Sequence, residues 1–144
     1  MLEVEALIRQ RLVATVPDLV GVHSAAALGI DDVGGKKLPA AFVVNDGYRV
    51  LEVTSHGAAA RIAARWLVIV VVRAFAQAAS GERSRADAGP LVMECLRALM
   101  GWQPRVGVQA LQPVTPPAPV YQDGILLYPL AFEAAMAVQR RGDA

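Results

Sequence analysis

Trp66-Leu67-Val68-Ile69-Val70-Val71-Val72 is a run of seven apolar residues without a break, five of them β-branched. β-Branched side chains are stiff at χ1 and pack well on a pleated surface, so the run reads as a strand. Both alternating sets, Trp66, Val68, Val70, Val72 and Leu67, Ile69, Val71, are apolar. That predicts a central strand covered on both faces. Arg65 and Arg73 bracket the run and are expected to give it water-facing ends. A membrane span needs roughly 18 or more apolar residues, and this run is far too short.

On its N-terminal side the run extends through Ile62 and Ala64, giving a long strand over residues 60–76. Ser55-His56-Gly57 turns the chain, and Tyr48 to Thr54 alternates in a way that fits a strand with one wetter face. Asn45-Asp46-Gly47 has the composition of a tight turn and follows the short apolar run Ala40–Asn45. Residues 40–76 therefore read as an antiparallel meander, because short turns join only antiparallel neighbours. Residues 29–39, Gly29-Ile30-Asp31-Asp32-Val33-Gly34-Gly35-Lys36-Lys37-Leu38-Pro39, hold three glycines, a proline and four charges. This reads as a mobile loop, long for a compact domain, and such loops often carry function. A short strand is expected over about 19–24. Ahead of it, Val4, Ile8, Leu12 and Val16 recur every fourth residue, widened by Leu7 and Val13. Glu3, Glu5, Arg9, Gln10 and Arg11 fill much of the rest, and Pro17 disfavours helical geometry at Val16. Residues 2–16 are the first helix.

On the C-terminal side, Ser80–Ser84 is a polar break before a second helix that ends at about Met100. Pro90 is tolerable in a first turn, which favours Asp87 over Ser84 as the capping residue. Val92, Leu96 and Leu99, with Cys95 and Met100, form its buried stripe. Gly101 is placed to close it in a left-handed cap, with Trp102 folded back. Val106, Val108 and Ala110 start a further strand. Four prolines between Pro113 and Pro119 make the next stretch an extended connector or edge. Gln122-Asp123-Gly124 is a hairpin turn, and a return strand is expected from 125 to about 135. Residues 139–144 are a polar tail. The fold class is α+β: one domain with a mainly antiparallel β-sheet, packed by an N-terminal helix and a second helix near 87–100.

Hydrophobic residues make up 55% of the 144 and charged residues only 19%, so part of the surface is expected to be covered by copies or partners. A net charge of +1 gives no overall field toward nucleic acid or an anionic membrane. One cysteine, Cys95, excludes an internal disulfide and reads as a small core residue. The acidic start Met1–Glu5 lacks the basic and apolar regions of a signal peptide, which predicts a cytoplasmic chain. His23 and His56 have no carboxylate or cysteine at ligand spacing and read as incidental surface or turn residues. Asp31 and Asp32 are adjacent on a glycine-rich loop, which holds no fixed acid/base geometry. Gly34-Gly35-Lys36-Lys37 lacks the spacing of a phosphate loop and the helix that would follow it. No Ser, His and Asp set forms a nucleophile elbow. Trp102 and Tyr121 have no basic cluster around them and read as packing residues. Neither catalysis nor a cofactor nor a metal is expected.

The order of landmarks says more than any single motif. Pro39-Ala40-Ala41-Phe42-Val43-Val44 and Gly47-Tyr48 follow the first helix. Then come Arg65-Trp66 to Val72-Arg73, Ala88-Gly89-Pro90-Leu91, Leu99-Met100-Gly101-Trp102-Gln103-Pro104 and Tyr128-Pro129-Leu130-Ala131-Phe132-Glu133. Over about residues 2–135 this series resembles the tail terminator, or tail completion, proteins of Mu-like bacteriophages. The resemblance implies a single tail-terminator-like domain over 1–144. It further implies a homohexameric ring at the head-proximal end of the tail tube that stops tube polymerisation and joins the tail to the neck. The implied partners are further copies of the chain, the tube protein and a neck or head–tail connector protein. Phage DNA only passes through the lumen, and no membrane is involved. The implied location is the tail or neck of the virion, assembled in the bacterial cytoplasm, and the family brings no cofactor or catalytic residue. Composition alone suggests Asp31, Asp32, Lys36 and Lys37 of the 29–39 loop, and Pro116 and Pro117 of the connector, as contacts. Two other readings are another neck or head–tail joining protein, and a small ligand-binding or regulatory α+β module unrelated to phage.

Overall fold

The Trp66 run fills the C-terminal half of β3 (Ala59–Arg73), which pairs antiparallel on one side with β2 (Ala40–Val53) and on the other with β6 (Ile125–Gln139). The computed structural model describes residues 2–24, 37–73 and 82–142. Around the three long strands stand α1 (Leu2–Thr15), β1 (Gly21–Ser24), α2 (Glu82–Leu99), β4 (Gln112–Val114) and β5 (Val120–Gln122). The sheet runs β1-β2-β3-β6-β4, with β5 also paired to β6. All pairings are antiparallel except β1 with β2, which are parallel. The result is a mixed six-stranded sheet with two helices, an α+β domain.

Side chains alternate between the two faces of a strand, and directly paired residues share a face. Trp66 pairs with Asn45 and Phe132, Val68 with Val43 and Leu130, and Val70 with Ala41 and Tyr128. This inner face meets both helices in one core, with Val4, Ile8 and Leu12 from α1 and Leu91, Val92, Cys95 and Leu99 from α2. Trp66, Phe132, Ile8, Leu12, Leu99 and Leu126 are fully buried. Burial of each such side chain contributes about 1.5–3 kcal/mol. The opposite, outer face carries a smaller cluster of Ala40, Phe42, Val71 and Ile125 with Leu38, Ile69 and Leu127, and among the described residues no helical one joins it. The expectation that both faces of β3 are covered holds fully for the inner face and in part for the outer one, where Val71 has no exposed surface. Leu67 and Ile69 are half-buried, since both helices lie on the same side.

α1 carries the expected stripe of Val4, Ile8, Leu12 and Val16. Glu5, expected on the polar face, is buried, and Arg9 and Arg11 are half-buried, because the helix packs both on the sheet and against its neighbour α2. Arg11 Nε donates to the Ala98 carbonyl at 3.0 Å, and its guanidinium lies 5.4 Å from the centre of the Trp102 ring. A cation at the C-terminal end of α2 complements the helix dipole there. Gly101 closes α2 with φ +75°, and the Trp102 N–H returns to the Leu99 carbonyl. Cys95 is buried.

Five expectations differ from the structure. Asn45-Asp46-Gly47 is not a hairpin turn: β2 runs through it, and Asn45 to Tyr48 is a β-bulge with Gly47 at φ +78°. A positive-φ glycine serves a bulge as well as a turn, so composition alone cannot separate the two. Helix two starts at Glu82, not Asp87, and Pro90 lies inside it. Within its stripe Met100 is 48% exposed. Residues 106–110 form no strand; Val106 is exposed in a turn and only Val108 bridges to Met136. β6 continues to Gln139, past the expected end near 135. The long-strand expectation over 60–76 holds to Arg73, and residues 74–76 fall outside the described residues.

Candidate assembly surfaces

Strands of 14 and 15 residues are well beyond the usual five or six. No described helix lies over their outer face, and its two halves differ in chemistry. One half is apolar. Here Leu67, Ile69, Leu127 and Pro129 form the floor of a groove of about 180 Å³, walled by Pro117, Ala118 and Val120 of the proline-rich connector. The connector leaves β6 after Val114 pairs with Ala131 and rejoins it where Val120 pairs with Leu127. Its prolines hold it extended without strand pairing, so it arches beside the sheet.

The other half is a lattice of opposite charges. Arg49 Nε donates to Glu133 Oε2 at 2.9 Å, and Arg61 Nε to Glu52 Oε1 at 2.8 Å. Arg65 Nε donates to Asp46 Oδ2 at 3.0 Å, and its Nη2 reaches the Thr115 carbonyl at 3.3 Å. The hydrogen bond from Glu133, and then its charge, raise the Arg49 pKa above its ordinary value. Arg65 was expected at a water-facing strand end; it lies within β3 and ties the bulge and the connector to the sheet. These pairs are mostly exposed, and such pairs add little to stability. They give the surface a fixed pattern of charge. The spacing of Arg61 and Arg65, both odd-numbered like Leu67 and Ile69, is the signal in the sequence that marks them as one face.

Beyond the helices the inner face also opens. Tyr48, Val50, Val53 and Val138 are 59%, 55%, 60% and 48% exposed. Paired through Ala64, Ile62 and Ala60 to the end of β6, they make a continuous apolar patch near the β2–β3 hairpin. Patches of this kind are common at protein contacts.

Of the six contact residues suggested by composition, Asp31, Asp32 and Lys36 lie outside the described residues. Lys37 is exposed beside the Leu38–Pro39 cis peptide, at the start of β2. Pro116 and Pro117 are exposed, and Pro117 walls the apolar groove. Lys37, ahead of β2, and the prolines, between β4 and β5 beside β6, stand on opposite sides of the central strand β3. His56 lies in the exposed turn at φ +64°. His23, by contrast, is neither a surface nor a turn residue. It sits half-buried on β1 with its ring 5.1 Å from that of Phe42. Among the described residues no group of three His, Cys, Asp or Glu is arranged to hold a metal ion. No described helix is long and apolar enough to cross a membrane.

Residues 2–142 match a family model described as Phage tail terminator protein. No curated protein matches the chain.

Proposed function

The chain belongs to the phage tail terminator family, which makes it a structural protein of a phage tail, and we propose that it caps the tail tube. In this reading six copies close into a ring on the head-proximal end of the tube, stop its polymerisation and offer a surface to the neck proteins. The Mu-like branch of the family is part of the same proposal. The ring works by binding, and no residue of the chain performs chemistry. The observation that carries the reading is the family match over nearly the whole chain.

The surface chemistry supports it. Neighbours in a cyclic ring meet through two different patches. This chain offers dissimilar surfaces on one sheet: an apolar groove beside the connector and a lattice of paired charges. The outer face, with no described helix over it, supplies area for neighbours, tube and neck. Phage DNA would meet the ring only while passing through its lumen. Assembly in the bacterial cytoplasm follows from the same reading.

The test is deletion of the gene from its phage, followed by electron microscopy of the particles. Overlong or headless tails are expected, and expression of the chain in trans should restore normal ones. Tails of normal length with heads attached would contradict capping.

A further inference from the structure

The two lateral edges of the sheet are not alike. On the β6 side the last positions belong to β4, β5 and a connector whose prolines donate no backbone N–H. On the other side β1 covers only Ala40–Val43 of β2. Among the described residues no strand pairs with that edge from Tyr48 to Val53. An open edge presents backbone donors and acceptors that fit another extended chain.

The side chains say which chain. Tyr48, Val50 and Val53 point to the inner face, where each is more than half exposed. Arg49 and Glu52 point to the outer face, with side chains 65% and 66% exposed. Directly opposite residues in an antiparallel pair share a face. Now place a second copy of the same edge about a two-fold axis between Val50 and Leu51. Its Val53 falls opposite Tyr48 and its Glu52 opposite Arg49, and symmetry repeats both pairs. Apolar meets apolar on the inner face, and opposite charges meet on the outer. Bulges usually protect an edge from pairing. Here the first bulge ends before Tyr48, and the second, between Val50 and Glu52, lies at the axis. Both copies therefore carry their irregularity at the same place. Arg49 already bonds Glu133, and Glu52 already bonds Arg61. The junction would continue that alternation as Glu133, Arg49, Glu52 of the second copy and its Arg61.

We infer that Tyr48–Val53 is a self-complementary β-edge through which two copies of the unassembled chain pair antiparallel. The contact is isologous, whereas a cyclic ring needs a heterologous one. It therefore belongs to chains outside the ring, and it does not rest on the proposed capping function.

The test is sedimentation of the purified full-length chain over a range of concentrations, with Arg49→Glu and Glu52→Arg as variants. Wild type is expected to dimerise. Each single variant puts like charges opposite each other twice and should weaken self-association by about tenfold or more. Mixing the two variants restores opposite charges at both positions, so a heterodimer should form. Circular dichroism checks that each variant folds. Val53→Lys, which leaves every ion pair intact, should weaken association as well. A monomeric wild type, or an assembly of any size that the single reversals leave unchanged, would overturn the inference.

Discussion

Val70 has no exposed surface, and it faces both helices from the strand at the centre of the sheet. Val70→Asp would bury an unpaired charge and should cost on the order of 3 kcal/mol or more, enough to unfold a marginal domain. Thermal melting checks this; a variant that melts within a few degrees of the parent would contradict the core position. Cys95 gives a second prediction. Burial first, and the charge of Glu94 second, push its thiol up from 9.0 to about 12. The folded value lies above the unfolded one. The thiol proton's contribution is thus complete below pH 9 and is lost as pH rises toward 12. Wild type should lose more stability than Cys95→Ala over that window, as read from denaturant midpoints at each pH. Equal losses would contradict the buried, protonated thiol. Single residues of this kind were legible because apolar periodicity and burial are the same signal. Glu5 and His23 were not, since a polar side chain inside an element gives no local sign of what will pack on it.

At the scale of elements, turns and breaks were the hard part. Asp123-Gly124 is a two-residue hairpin with both residues at positive φ, as its composition implied. Asn45-Asp46-Gly47 has the same chemistry yet is a bulge, because β3 continues past it and holds both halves of β2 in register. β6 outran its expected end because its alanine-rich half has helix propensity, which the full-length ladder with β3 overrides. Pro90 misled in the same way: a first-turn place for it is locally best, but the helix starts eight residues earlier. This is testable. Proline in a helix interior lacks an N–H and crowds the preceding turn, so Pro90→Ala should stabilise the domain by about 1–3 kcal/mol. A neutral or destabilising effect would return the helix start to the neighbourhood of Asp87. The joint between helices offers another test. Arg11→Ala removes the bond to the Ala98 carbonyl and the contact with Trp102, and should cost about 1–2 kcal/mol in urea unfolding. No loss would mean that the helices are held together by their apolar stripes alone.

For the molecule as a whole, fold class and family were readable, because long strands, capped helices and their order leave marks at fixed places in the chain. The surfaces were less so. In the sequence Leu67 and Ile69 look as buried as Trp66, Val68 and Val70, and nothing local says that both helices will choose one side. That choice leaves the outer face, with its groove and its charges, as the surface open to an assembly. Of the contacts guessed from composition, Pro117 lies at that groove, while the 29–39 loop falls outside the described residues up to Lys36. Under the proposed function this chain closes the head-proximal end of a phage tail tube. Cryo-electron microscopy of intact virions at the head–tail junction tests it most directly. One ring of six copies is expected, seated on the last layer of the tube, between tube and neck. Density for the chain elsewhere in the virion, or a last tube layer in direct contact with the neck, would contradict it.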